Sequence, residues 1–233
     1  MTDPRDEALQ RACPVVAAPL FGVLPAMENG QRVIVASNGV FVQVKRDWLD
    51  CVEPLAAIDA TMPLPYGRMT PSVRFTFGTI PVALLDAFIA AGRAGLPNEI
   101  AGGLIYSAQG QTLRLATYEP LHSTAHRIEY RMPPLARDES IAVDLHTHGV
   151  LPAFWSVTDD RDDRSVKVAG VFGNLDREQP SAAFRLVLNG MYGPLTHPWQ
   201  AAQQVETDRY WPTLDALGFN VGEAWIISST RSY

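Results

Sequence analysis

The sequence predicts an α/β chain, layered in the α+β manner, in which a main domain of strands and helices follows a β-rich N-terminal region. Three observations carry this. Two β-rich runs, residues 32–37 and 40–44, flank an Asn38-Gly39 pair, the strongest short hairpin signal in a sequence. Residues 81–93 place apolar side chains at 84, 85, 88 and 89, which is helical spacing. Apolar runs at 99–106, 113–118, 141–145, 166–172 and 183–188 then have strand character.

Along the chain, residues 1 to about 30 read as irregular, because prolines at 4, 14, 19 and 25 interrupt any long helix. After the hairpin, prolines at 54, 63, 65 and 71 with Gly67 read as a linker or long surface loop over 53–73. Residues 1–75 are therefore expected to form an accessory region with a β-hairpin, and residues 76–233 the main domain with a C-terminal extension. In the main domain, Pro81 suits a first helical turn, and Gly95 and Pro97 end the helix. The runs 99–106 and 113–118 pair across a turn at 109–111. The run 141–145 is a buried strand ending at His146, and residues 149–155 form a loop. Ser156 followed three residues later by Asp159 resembles a helix capping box, so a short helix is expected from Asp159 to about Arg164. A helical stretch at 199–217, interrupted by Pro212, and a strand at 224–228 are expected in the tail.

The 233 residues carry 47% hydrophobic and 19% charged side chains, an ordinary globular balance. A formal net charge of −6 and the lack of a basic stripe argue against nucleic-acid binding as the main task. Cys13 and Cys51 have no spacing that reads as a zinc knuckle or a disulfide framework, and are expected to be buried or half-buried thiols. The acidic, polar start is unlike a secretory signal, and no apolar run reaches the length of a membrane span, so a cytoplasmic protein is expected.

The chemistry concentrates in one segment. In His146-Thr147-His148, residues two apart on a strand point to one side, so the two imidazoles can converge on one ion. Asp159, eleven residues beyond His148, can supply a carboxylate as third ligand. Three protein ligands to zinc leave the fourth tetrahedral position for water, the catalytic rather than the structural arrangement. Glu99 is a lone acid opening an apolar strand beside Gly102-Gly103, the kind of position where a carboxyl is at an edge or is placed for use as an acid/base. Ser156 can donate a hydrogen bond to an oxyanion. Alone, each has a plainer reading: His-x-His is weak, Ser-x-x-Asp is often only a cap, and Glu99 can be a solvated strand end. Asp144, Asp160, Asp162 and Asp163 read as surface charges. Gly102-Gly103 reads as a bulge or as a place where a substrate backbone can approach closely, His122 and His126, four apart, as a weak second metal pair where a helix is not expected, and His197 as structural or exposed. Phe154-Trp155 reads as core, as a wall of the site or as a docking patch.

Together, His146-x-His148, seven residues, Ser156-x-x-Asp159 and an upstream Glu99 resemble the JAMM motif of the JAB/MPN metalloprotease family at every motif position. The resemblance covers roughly residues 80–195. It implies a JAB/MPN-like fold with a twisted mixed β-sheet and flanking helices, one zinc ion per chain on His146, His148 and Asp159, Glu99 as acid/base, and Ser156 as oxyanion donor. It also implies hydrolysis of a peptide or isopeptide bond next to the C-terminus of a ubiquitin-like protein. The chain looks most like the bacterial branch and its PRTRC-type members, whose systems carry a ThiF-like activating enzyme beside a small ubiquitin-like protein. Residues 149–152, Gly-Val-Leu-Pro, depart from the Pro-Ser-Gly of RadC-like relatives. Two other readings stay open: a non-catalytic MPN-type binding scaffold, and a zinc amidohydrolase acting on small amides.

Overall fold

A computed structural model describes residues 3–58 and 64–196 and the short strands Thr207–Arg209 and Trp225–Ile227. The described residues fall into two compact units, one of residues up to Thr76 with the strand Trp225–Ile227, the other from Phe77 through the strand Thr207–Arg209.

The first unit is more regular than its prolines suggest. Helix α1 (Pro4–Ala12) forms because Pro4 stands in the first turn, where its missing N–H costs nothing, and because the Asp3 side chain accepts from the Arg5 N–H. Five strands follow as one sheet in chain order: β1 (Val15–Ala17), β2 (Gly30–Ala36), β3 (Gly39–Arg46), β4 (Leu49–Ala57) and β5 (Ser72–Phe75). The hairpin signal is realised by β2 and β3. The Asn38 side chain is tied to the Met69 backbone in both directions, at 2.9 Å each. The expected linker over 53–73 is corrected at both ends: β4 runs through Pro54, accommodated by an irregularity opposite Val40 and Phe41, and β5 begins at Ser72. Ile34, Ala36, Phe41 and Val52 form the core here. Of the two thiols, Cys51 is buried and Cys13 half-buried.

The second unit is a mixed α/β layer. Helix α2 (Val82–Gly95) starts behind Pro81 and turns Leu85, Phe88, Ile89 and Gly92 inward. It lies on one face of a six-stranded sheet ordered β13-β12-β11-β10-β6-β7. The strands are β6 (Ala101–Ser107), β7 (Thr112–Thr117), β10 (Glu139–Thr147), β11 (Val166–Gly173), β12 (Ser181–Leu188) and β13 (Met191–Leu195). Only β10 and β11 pair in parallel. Phe88 meets Phe172 at 5.7 Å between ring centroids, and Phe172 meets Phe184 edge-on at 5.7 Å. Gly102-Gly103 is a packing feature: a Cβ on Gly103 would stand 2.3 Å from the Tyr118 hydroxyl, and one on Gly102 would stand 2.9 Å from the Ala116 carbonyl oxygen.

Three strands escaped the sequence reading in this unit, the edge strand β13 among them. β8 (Glu119–Ser123) and β9 (Ile128–Arg131) form a separate hairpin, which puts His122 on a strand and His126 in the turn. Helix α3 is Val157–Asp162, starting two residues earlier than expected because Ser156 rather than Asp159 is the cap. In the tail, Thr207–Arg209 is a strand where a helix was expected, and Trp225–Ile227 is a strand within the expected 224–228; the rest of the expected 199–217 helix, and His197, lie outside the described residues.

Candidate metal centre

The site forms where β10 runs out of the sheet. Along β10 the side chains alternate: Val143, Leu145 and Thr147 are buried on one face, while Asp144 and His146 face the other. Thr147, between the two histidines, is fully buried, and its N–H and hydroxyl oxygen bracket Ile100 at 3.0 and 2.9 Å. This fixes the residue next to Glu99 against the residue next to both imidazoles. His148 continues the strand, its N–H donating to the Phe172 carbonyl at 2.8 Å. Gly149 then takes φ +55°, a left-handed conformation in which a side chain is strained. The returning loop crosses Gly173 so closely that a Cβ there would lie 2.2 Å from the Leu151 carbonyl oxygen.

Glu99 is held from the other side. Its N–H donates to the Thr124 carbonyl at 2.8 Å, and its carbonyl accepts from the Ser123 hydroxyl at 2.6 Å, so the turn end of the β8–β9 hairpin clamps its backbone. Asp159 arrives on α3. The Asp159 N–H donates to Ser156 Oγ at 3.2 Å, and Asp159 Oδ2 accepts from the Ser156 N–H at 2.7 Å, a reciprocal capping box.

Three of the five singled-out side chains converge. His146 Nε2 is 3.2 Å from His148 Nε2 and 3.2 Å from Asp159 Oδ1, and His148 Nε2 is 3.9 Å from Asp159 Oδ2. One donor atom from each can be chosen so that all lie within 4.8 Å. Burial lowers the pKa of both histidines; for His148 the neighbouring His146 lowers it further, while Asp159 opposes the shift in each. Both rings are thus held neutral, with lone pairs available. Two neutral imidazole nitrogens and a carboxylate oxygen aimed at one point are the donor set that zinc prefers, so these residues fit the ion.

Glu99 and Ser156 line the same cleft, of about 590 Å³. Glu99 is 8% exposed, and its pKa is pushed up to about 7, by burial first and by the Asp159 charge second. Ser156 Oγ is occupied as an acceptor by the cap, which leaves its own O–H free to donate. Phe154, its ring tilted by 58° against that of His148 at 4.4 Å between centroids, and Leu151 line the cleft, as does the hairpin from His126 to Tyr130.

The acids read as surface charges need correction. Asp163 is 5% exposed, and its carboxylate joins two cations: Oδ1 to Lys167 Nζ at 2.8 Å and Oδ2 to Arg185 Nη2 at 2.6 Å. Asp144 pairs with the same Lys167 at 2.6 Å, and Asp160 with Arg185 at 2.7 Å. Asp162 alone of the four is exposed. Burial alone would lower the Lys167 pKa, but Asp144 and Asp163 together raise it. Trp155 walls the site from beneath: its ring lies 6.3 Å from that of His146 and stacks under the Arg185 guanidinium at 3.9 Å. The signal that could have found Lys167 and Arg185 is the one that drew attention to Glu99, a lone charge inside an apolar strand.

Among the described residues no helix is long and apolar enough to cross a membrane. No curated protein matches the chain. A solution structure, that of protein DSY2949 from Desulfitobacterium hafniense, is similar at 17% identity with a TM-score of 0.37, covering 46% of this chain and 82% of that one; so weak a likeness carries no argument. Two family descriptions match: a domain of unknown function, DUF2016, over residues 3–76, and prokaryotic homologs of the JAB domain over residues 81–187. The second match spans Glu99, β10, the loop and α3, so the candidate site lies within a region similar to prokaryotic homologs of the JAB domain.

Proposed function

We propose that this chain is a zinc-dependent metallopeptidase or isopeptidase that cuts a peptide or isopeptide bond next to the C-terminus of a ubiquitin-like protein. The observation that carries the reading is the convergence of His146, His148 and Asp159, with a buried, readily protonated Glu99 in the same cleft. A zinc ion held there would supply Lewis-acid polarisation of a carbonyl and a water made acidic enough to attack it at neutral pH. The protein's own groups do the rest. Glu99, with a pKa near neutrality, takes the proton from the attacking water and returns it to the leaving amine. Ser156 donates its hydroxyl hydrogen to the developing oxyanion. Phe154 and Leu151 screen the reacting bond from solvent on one side.

The ubiquitin-like substrate, and a ThiF-like activating enzyme as a companion in a PRTRC-type system, belong to this proposal through the family resemblance. The test is zinc content together with cleavage of a ubiquitin-like fusion. Glu99→Gln is expected to keep its zinc and to lose about 100- to 10,000-fold in rate, the usual worth of a positioned acid/base. Equal activity of the two proteins, both folded and loaded, rejects the reading. Tight binding of the fusion without cleavage by zinc-loaded wild type would favour a scaffold, and cleavage of short acyl amides alone would favour an amidohydrolase.

A further inference from the structure

We propose that Lys167 and Arg185 are positioning residues of this centre: they hold helix α3, and with it Asp159, against the imidazoles of β10. The proposal rests on reading His146, His148 and Asp159 as metal ligands.

It starts from what α3 lacks. The helix is six residues long and none of them is buried, so apolar burial does not hold it in place. Its tethers beyond the cap are polar. Arg185 reaches from β12 to Asp163 Oδ2 through Nε at 3.0 Å and Nη2 at 2.6 Å, and to Asp160 Oδ1 through Nη1 at 2.7 Å. The Tyr192 hydroxyl, from β13, donates to the Asp160 carbonyl at 2.6 Å. Lys167, from β11, holds Asp163 Oδ1 at 2.8 Å.

The arrangement also has a register. Asp144 and His146 are two apart on β10 and share a face. Asp163 follows Asp159 by four residues, one helical turn. The chain Asp144–Lys167–Asp163 is therefore a second rung beneath the pair His146–Asp159, joining the same strand to the same helix. In the lower rung the bridging cation is the Lys167 ammonium; in the upper rung it is the proposed metal. Arg185 braces the far side. Its guanidinium lies between the rings of Trp155 and Tyr192, at 3.9 and 4.1 Å, and Trp155 immediately precedes the cap residue Ser156. Both ends of the segment that presents Asp159 are thus held by one side chain.

The test is zinc affinity of the full chain, measured by competition with a chromophoric chelator, for Arg185→Met, Lys167→Met and Tyr192→Phe, each made in the wild type and in Asp159→Ala. Arg185→Met and Lys167→Met are expected to weaken zinc about 10- to 100-fold, the range seen when outer partners of a metal site are removed. Tyr192→Phe, which removes one hydrogen bond and leaves the ring, is expected to weaken it about 2- to 10-fold. All three effects should vanish once Asp159 no longer contributes a ligand. Arg185→Met strands a buried acid, so Arg185→Met/Asp163→Asn is made beside it, and Tyr192→Phe supplies an answer from a variant with no stranded charge. Unchanged affinity in these variants overturns the positioning role, as does an equal loss in both backgrounds, which would mean general damage to the fold. A wild type that takes up no zinc overturns the ligand reading and this proposal with it, whereas a wild type that binds zinc and ignores these substitutions overturns this proposal alone.

Discussion

Strand β10 and helix α3 meet at the same cleft but are held there by opposite means. β10 is paired on both sides, in parallel with β11 and antiparallel with β6, and buries Ala142, Val143, Leu145 and Thr147. Helix α3 buries no residue and depends on its cap and its ion pairs. The two histidines thus sit on an element that unfolds only with the sheet, while the aspartate sits on one that can open locally. A metal bound as proposed would have two donors fixed by the sheet and a third that depends on the helix.

The largest test of the contrast is on the strand. Leu145 is 1% exposed, and Leu145→Ala is expected to cost about 2–5 kcal/mol of global stability in denaturant unfolding. A loss well under 1 kcal/mol would mean that β10 is not the rigid partner.

Next comes Glu99, the buried acid at the seam. Its carboxyl is raised from an ordinary 4.5 to about 7, so between those pH values the folded metal-free protein retains a proton that the unfolded chain has released. Its contribution to stability is fully present below about pH 4.5 and is lost as pH rises through 7. With zinc chelated, Glu99→Gln should therefore exceed wild type in stability at pH 8 by at most about 3 kcal/mol, and the difference should close by pH 4.5. A constant difference across that range would show that burial of Glu99 carries no titration penalty.

Smaller effects belong to the helix. Ser156→Ala removes the side chain that accepts from the Asp159 N–H, and should raise local opening at α3 by about 1 kcal/mol in amide exchange while leaving the unfolding midpoint in place. At the bottom of the scale, Val157 is 68% exposed, and Val157→Ser should stay within about 0.5 kcal/mol of wild type in denaturant unfolding. A larger loss would reveal apolar anchoring of α3 and collapse the comparison.

What could be read from the sequence follows a pattern. The β2–β3 hairpin, α2 and the strands β6, β7, β10, β11 and β12 are governed by local spacing and turn residues, and they stand where those signals put them, whereas the edge strand β13 was not foreseen. Prolines misled twice, because Pro4 sits in a first helical turn and Pro54 at a strand irregularity, both places that tolerate a missing N–H. The β8–β9 hairpin has weak, mostly exposed strands, so no buried alternation marked it.

By itself the sequence determined the local geometry at the site: His146 and His148 two apart at a strand end, and Ser156 and Asp159 closing a capping box, since strand alternation and capping act within a few residues. It also carried the similarity of residues 81–187 to prokaryotic homologs of the JAB domain. Only the tertiary structure decided that Glu99, 47 residues before His146, is buried near Asp159, and that Asp144 and Asp163 are bridged by Lys167 rather than solvated. Those features depend on which strands become neighbours, and burial and charge pairing act through space between residues that the chain keeps far apart.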